Sequence, residues 1–301
     1  MTAPVQIRLD LSRPATQTVA VTISWTPFVH RQTFQLPVWT PGSYTVRDHV
    51  QHLHSLQLSC GDQNLQVRRL APHQWICDLP DLSPLTLRYS LEARDLTVRT
   101  GLLDPDFASL CLAAVAMEIE GCRWSPHLLD VIAPDDWLVH LPLPRDRDGW
   151  TAAEFDDLVD SPLHAGPFAA QQFSVSGRTH ELVLIGAPPN AWPTQFLRDV
   201  ERVCEATCRL MQTPPPAGDR YQLVLQLLEN PQGFLLIPCW CRMGARYRDH
   251  FASRCHIQSA GIARGHQSVG SVLFHQLNAI GLLKLLPRRC LGIVAFQRRR
   301  C

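Results

Sequence analysis

The sequence predicts a mainly β protein: a β-sandwich at the N-terminus, a helix and strand after it, and an irregular tail. Three observations carry this. Short runs in the first 165 positions alternate apolar and polar side chains, the period of a half-buried strand. Turn formers separate the runs, at Gly61-Asp62, Pro72, Pro80, Pro84 and Pro134. Near Gly233 the composition changes abruptly.

Taken in order, Val19-Ala20-Val21-Thr22-Ile23-Ser24-Trp25 alternates cleanly, and so do Thr33–Val38 and Leu85–Leu91. Short strands at this spacing fit a sandwich. Ala108–Ala116 is apolar, and periodicity leaves it open between a strand and a short buried helix. Glu181–Ile185 reads as a further strand. From Pro193 to Met211 the pattern is helical: Phe196, Val200, Val203 and Leu210 fall near one face, with Arg198, Asp199, Glu201 and Arg202 elsewhere. Thr213-Pro214-Pro215-Pro216-Ala217-Gly218 ends that helix as a rigid linker. Tyr221–Leu228 is strongly β. The domains so read are 1–165, 166–232 and 233–301.

The formal net charge of +1 hides an asymmetry. Residues 1–232 carry 26 acidic and 17 basic side chains, whereas 233–301 carry 11 basic residues and one acid, Asp249. Five of the 11 cysteines also lie in those last 69 residues. A basic tail suits nucleic acid or an acidic membrane surface, or marks a segment never selected as folded protein. It holds few aromatics beyond Trp240, Tyr247 and Phe251, so nucleic acid ranks low among the expected partners. No stretch of about 20 apolar residues occurs, and no membrane partner is expected. The start, Met1-Thr2-Ala3-Pro4, lacks the charged and apolar regions of a secretory signal. The expectation is a cytoplasmic protein with reduced thiols.

One stretch is too particular for an ordinary loop: Pro37-Val38-Trp39-Thr40-Pro41-Gly42-Ser43-Tyr44-Thr45-Val46-Arg47-Asp48. Two prolines and a glycine fix a turn, an aromatic stands on either side of it, and an Arg-Asp pair follows. Read from residue types alone, this is a β-turn that packs Trp39 and Tyr44 into a core. The stretch resembles the signature of the N-terminal domain of the glycyl aminopeptidase family, zinc metallopeptidases that usually carry a trailing PDZ domain. Asp95-Leu96-Thr97-Val98-Arg99-Thr100 resembles a strand motif of that family, with Leu103-Asp104-Pro105 just after. Asp160-Ser161-Pro162-Leu163-His164-Ala165-Gly166-Pro167-Phe168 resembles the segment that closes its N-terminal domain. Val203-Cys204-Glu205-Ala206 and Arg220–Leu225 resemble the opening helix and strand of its catalytic domain. The resemblance runs from Val5 to Gly233. It implies a β-sandwich, then the incomplete start of an α/β, thermolysin-like catalytic domain, then the tail. Pro37, Trp39, Pro41, Gly42, Tyr44, Arg47, Asp48, Asp160, Ser161, Pro162 and Gly166 are the implied structural motif residues.

The family's chemistry needs His-Glu-x-x-His, two imidazoles one helical turn apart with a glutamate beside the metal as general base. No such motif occurs in the 301 residues. The nearest remnant is Ser271-Val272-Leu273-Phe274-His275-Gln276-Leu277-Asn278. On it His275 matches the second zinc-ligand position, while Ser271 replaces the first ligand and Val272 the general base. No Glu follows Glu229, so the third ligand has no candidate. A catalytic Zn²⁺ takes three protein ligands, and no cofactor is expected here, although intact family members hold zinc. The family's Gly-Gly-x-Glu-His strand is also lost: Gln232-Gly233-Phe234-Leu235-Leu236 keeps one glycine and no glutamate. Motif, charge and cysteine usage break together near Gly233, the pattern of a frameshift or a decayed gene.

The other constellations are weaker. His180-Glu181 mimics half of a zinc motif, but it sits in a strand and Leu184 is no ligand. Cys204 and Cys208, at i and i+4, read as small buried hydrophobes. Cys239-Trp240-Cys241 with Cys255-His256 has a one-residue gap, against the usual two to four. Arg298-Arg299-Arg300 reads as a solvated terminal run. Neither a Gly-x-Ser-x-Gly elbow nor a phosphate-binding glycine loop occurs.

The functional expectation is a truncated glycyl aminopeptidase-like homologue without activity. The first alternative is a zinc aminopeptidase removing N-terminal Gly or Ala, its true C-terminal frame not shown here, with peptide substrates only if that catalytic domain is restored. The second is a basic-tailed binding protein.

Overall fold

The structure, a computed structural model, describes residues 3–39, 46–97, 100–186, 194–212, 220–226 and 293–295. The chain divides into two compact units, Met1–Pro167 and Phe168–Cys301.

The first unit is built on strands whose alternate residues are apolar. β1 (Val5–Asp10) buries Val5, Ile7 and Leu9, and β2 (Thr18–Trp25) buries Val19, Val21, Ile23 and Trp25. β3 (Arg31–Gln35) stops before Pro37, which has no N–H for a ladder. The alternation read through Val38 therefore overran the strand. β4 (Leu53–Cys60) carries a bulge between His54 and Gln57, where Ser55 takes a φ of 58°. β5 (Gln63–Leu65) pairs back on β4, and β6 (Arg68–Ala71) and β7 (Gln74–Asp78) form a hairpin in another sheet. β8 (Leu85–Glu92) buries Leu85, Leu87, Tyr89 and Leu91. β9 (Gly101–Leu103) and β10 (Ala108–Leu110) form a short hairpin. The apolar run 108–116 is both things that sequence left open, strand β10 and then a 3₁₀ turn at Leu112–Ala114. β11 (Glu118–Ile119), β12 (His127–Ile132), β13 (Leu138–His140), β14 (Trp150–Ala152), the one-turn helix α1 (Phe155–Val159) and β15 (Leu163–Gly166) complete the unit.

These strands form a seven-stranded sheet, β14-β12-β1-β2-β8-β4-β5, and two four-stranded sheets, β11-β3-β7-β6 and β13-β15-β10-β9. The β1–β12 pair is parallel, and the other pairs of this unit are antiparallel. All three sheets feed one hydrophobic core, in which Val21, Ile23, Phe34, Leu87, Leu110 and Leu163 are essentially inaccessible. At its centre the Tyr89 hydroxyl donates to the Val115 carbonyl at 2.7 Å and accepts from the Met117 amide at 3.1 Å. Burial pushes that phenol's pKa up, so it stays protonated and keeps both bonds.

Gly149 holds β14 against β12. Its φ is +130°, and a Cβ there would lie 2.4 Å from the Leu129 carbonyl oxygen. Both facts forbid a side chain. Gly149→Ala is therefore expected to cost about 1–3 kcal/mol, the usual penalty of overpacking. Urea denaturation checks this, and an unchanged midpoint would refute it.

In the second unit β16 (Ala170–Val175) and β17 (Arg178–Ile185) form a hairpin over Ser176-Gly177. Both turn residues have positive φ, 49° and 74°, as a two-residue hairpin requires. The helix α2 (Thr194–Met211) crosses over to β18 (Arg220–Gln226), which runs parallel to β17. Phe196, Val200, Val203 and Cys204 pack on Leu182, Leu184, Leu223 and Leu225. Leu210, expected on that apolar face, is 58 % exposed. β19 (Ile293–Ala295) pairs antiparallel with the end of β18. Among the described residues no helix is long and apolar enough to cross a membrane.

Candidate functional site

Three of the motif segments singled out in the sequence begin in the first unit. After β3, Leu36 is buried and donates its amide to the His73 carbonyl at 2.9 Å. Pro37 and Val38 are half-buried. Trp39 is 48 % exposed and Val46 72 % exposed, so Trp39 does not pack into the core as expected. The reason is the neck of the turn. The Arg47 amide donates to the Val38 carbonyl at 2.6 Å, which closes the chain at that level and carries Trp39 outward. Pro41, Gly42 and Tyr44 lie outside the described residues. Arg47 is half-buried with its Nε inaccessible, and exposed Asp48 precedes a 3₁₀ turn, His49–His52.

The described residues of the second motif, Asp95–Thr97 and Thr100, are not in a strand. The Asp95 amide donates to the Gly101 carbonyl at 3.0 Å, and the Thr100 hydroxyl donates to the Asp95 carbonyl at 2.8 Å. These local bonds compete with a ladder and win. Asp104 closes the next turn, its Oδ1 accepting from the amides of Asp106 and Phe107 at 2.9 and 3.1 Å.

A shallow cleft lies between the 3₁₀ turn that follows the first motif and the second motif. His49 and His52 line it from that turn, Asp95 and Thr100 from the second motif, and Leu91, Ala93 and Gly101 lie beside them. Beside it Glu92 meets His54 at 3.7 Å and Arg94 at 3.5 Å. His49 is buried; desolvation, then the charges of His52 and Arg47, hold its pKa down at about 4 against the pull of Asp48. The cleft thus offers two carboxylates, a guanidinium and a neutral imidazole, a surface for binding polar groups.

The third motif closes the unit. The Asp160 amide donates to the Asp156 carbonyl at 3.0 Å and ends α1. The Ser161 hydroxyl donates to the Asp157 carbonyl at 2.8 Å, and Pro162 cannot extend the helix. Leu163–Gly166 then enters the sheet as β15, every residue buried. Since β15 pairs β10 and β10 pairs β9, this motif sits on the sheet that begins at the second one.

The zinc-motif remnant Ser271, Val272 and His275 lies outside the described residues, as do Cys239, Cys241, Cys255 and His256. Among the described residues no three His, Cys, Asp or Glu side chains are placed to hold a metal ion. The donor set of the whole sequence likewise does not fit a peptidase zinc, because His275 has neither a companion ligand nor a base at the motif spacing. His180 is a strand residue, stacked on Tyr221 at 4.8 Å and packed on Phe173 at 5.2 Å. Glu181 points to the opposite face, accepting from Gln172 at 3.2 Å and facing Arg220 at 3.6 Å. Cys204 is buried in the α2 interface and Cys208 packs at its rim.

Sequence reasoning missed the buried histidines. His127 and His164 are each 1 % exposed and His140 is 9 % exposed. Nothing in a single polar letter inside an apolar run announces whether it faces water.

The comparisons with known proteins agree with this geometry. The family model of the peptidase M61 N-terminal domain matches residues 6–167. An aminopeptidase N family protein from Idiomarina loihiensis has the same fold over 77 % of this chain and 40 % of its own, with 24 % identity and a TM-score of 0.69. An M1 zinc metallopeptidase from Deinococcus radiodurans aligns over 77 % of this chain and 57 % of its own, with 13 % identity and a TM-score of 0.43. The chain thus spans about two fifths of the length of the Idiomarina protein. No curated protein sequence matches it significantly. With more than half of its length matched, from β1 to the end of β15, the chain belongs to the peptidase M61 N-terminal domain family.

Proposed function

We propose that this chain is a metallopeptidase homologue whose β-domain is intact in pattern and whose catalytic centre is lost. The observation that carries this is a contrast within one sequence. Residues 6–167 match the family domain over its whole run of strands from β1 to β15. Yet the residues after Gly233 hold no His-Glu-x-x-His, only His275 with Ser271 and Val272 before it. Any remaining role is binding by the β-domain, for which the cleft between the His49–His52 turn and the second motif is the candidate surface. On this reading the protein works in the cytoplasm, holds no zinc, and has neither a membrane nor a nucleic-acid partner.

The test is hydrolysis of glycyl and alanyl 4-nitroanilides by the purified chain, with and without added Zn²⁺. The expected result is release no faster than the buffer blank in either case. Zinc-dependent release would overturn the proposal.

A second reading is favoured by the coincidence of charge, cysteine and motif breaks at one point. In it the gene, read in another frame after Gly233, encodes a zinc aminopeptidase acting on peptides with N-terminal Gly or Ala. Resequencing the coding DNA from about codon 225 and translating all three frames decides it. Recovery of Gly-Gly-x-Glu-His, then His-Glu-x-x-His and a later Glu, would establish that reading; their absence from every frame would end it.

A further inference from the structure

We propose that His140 and His164 form an acid-released latch on β15, the last strand of the first unit. β15 lies between β13 and β10, and the register sets His164 opposite His140 on one side and Ser109 on the other. Directly opposed residues share a face, with Cβ atoms about 5 Å apart. The three side chains therefore form a row across the sheet, 9 %, 1 % and 6 % exposed in the order His140, His164, Ser109. Neither ring nitrogen of His164 has a hydrogen-bond partner. All four residues of β15 are buried, so the strand has no wet face toward which an imidazolium could turn.

The groups facing His164 among the described residues give a proton no support. β13 contributes His140, another potential cation. β10 contributes Ser109, with the thiol of Cys111 two positions along the same face, and β9 contributes Leu102 beyond Ser109. None of these ladder neighbours is a carboxylate, and the charge that acts on His164 is that of His140. Desolvation first, and then His140, hold the His164 pKa at about 3.

The closed strand thus refuses a proton that an opened strand accepts at the ordinary histidine value of 6.5. Linkage then ties opening to pH. Below 6.5 the open fraction of β15 rises about tenfold for each pH unit, until the closed form itself titrates. Since β15 ends at Gly166 and the unit ends at Pro167, opening frees the segment by which the chain leaves the first unit. Opening takes four buried residues out of the core, so it is rare at pH 7 and its pH dependence is what exchange reads.

Hydrogen exchange by mass spectrometry tests it on the full chain between pH 7 and pH 5, after correction for intrinsic exchange rates. Peptides covering 138–140 and 163–166 are expected to lose protection about tenfold per pH unit, before β2 in the large sheet does. His164→Asn and His164→Leu are expected to remove that slope. An unchanged slope in either variant overturns the latch. If neither variant folds, the wild-type protein still decides: β15 that loses no protection below pH 6.5, or loses it only together with β2, overturns it.

Discussion

Phe34→Ala is expected to lower the stability of the first unit by about 3–5 kcal/mol, the usual cost of deleting a buried aromatic ring. Phe34 lies on β3, in a small sheet, and is fully buried. Its ring meets Trp25 of the seven-stranded sheet edge-on at 6.5 Å and stacks on Trp75 of β7 at 6.1 Å. It is therefore the piece that joins two sheets, and no side chain on one sheet alone could close the hole it leaves. The surroundings are also fixed. The Trp25 indole donates to the Gln32 side chain at 3.3 Å, and the Gln32 amide donates to the Thr33 and Glu120 carbonyls at 3.0 and 3.1 Å. Movement of Trp25 into the cavity would strain that bond, so most of the cavity persists. Phe34→Leu retains apolar volume and is expected to cost about 1.5 kcal/mol or less. Urea denaturation followed by tryptophan fluorescence measures both. A loss below about 1.5 kcal/mol for the alanine variant would show that the sheets are not joined here.

The same residues show what was legible in the sequence. β2 and β8 were readable because each has one face in the core and one toward water, so alternation marks them letter by letter. β15 was not readable as a strand on that ground, because it is buried on both faces and Leu163, His164 and Ala165 carry no alternation. β6 was illegible for the opposite reason: it is an exposed edge, held by pairing with β7 alone. The motif around Trp39 was legible in chemistry but not in conformation. Residue types announced a rigid turn, yet they do not say which way Trp39 faces, and the Arg47–Val38 hydrogen bond that closes the chain beside it joins residues nine apart. The cleft was legible only in parts, since Asp48 and Asp95 are far apart in sequence and the sheet order alone brings their neighbours together.

Acid is expected to unfold the first unit well before its carboxylates are neutralised, through histidines that fold in their neutral form. Burial is the main cause in both His49 and His127, and each is held at about 4 against an ordinary 6.5. For His127 the Ser125 carbonyl, 2.8 Å from Nδ1, and then Glu118 pull the other way, but burial, with the ring packed on Phe155 at 5.6 Å, outweighs them. The sign follows from the depressed values. Above pH 6.5 both the folded and unfolded chains leave these rings neutral, and the stability is intact. Between 6.5 and about 4 the unfolded chain binds protons that the folded chain refuses, so stability falls as pH falls. Below about 4 both states are protonated and the loss levels off. Each histidine then accounts for about 3 kcal/mol, because every tenfold weakening of proton binding is worth about 1.4 kcal/mol. The pair together removes an amount comparable to the whole stability of a marginal domain. Urea midpoints measured at pH 7.5 and pH 4.5 are expected to drop steeply, and His127→Phe, which keeps an aromatic ring against Phe155, is expected to flatten the drop. Equal midpoints at the two pH values would mean that these imidazoles reach water in the folded protein. The acidic surplus of residues 1–232, 26 acids against 17 bases, works the other way. Self-repulsion among those carboxylates weakens as pH falls through their range, while Asp10, whose carboxyl is held low by its hydrogen bonds to Ser12, loses stability only below the ordinary carboxylate range, so the part of the drop that His127→Phe removes is the part that belongs to the histidine.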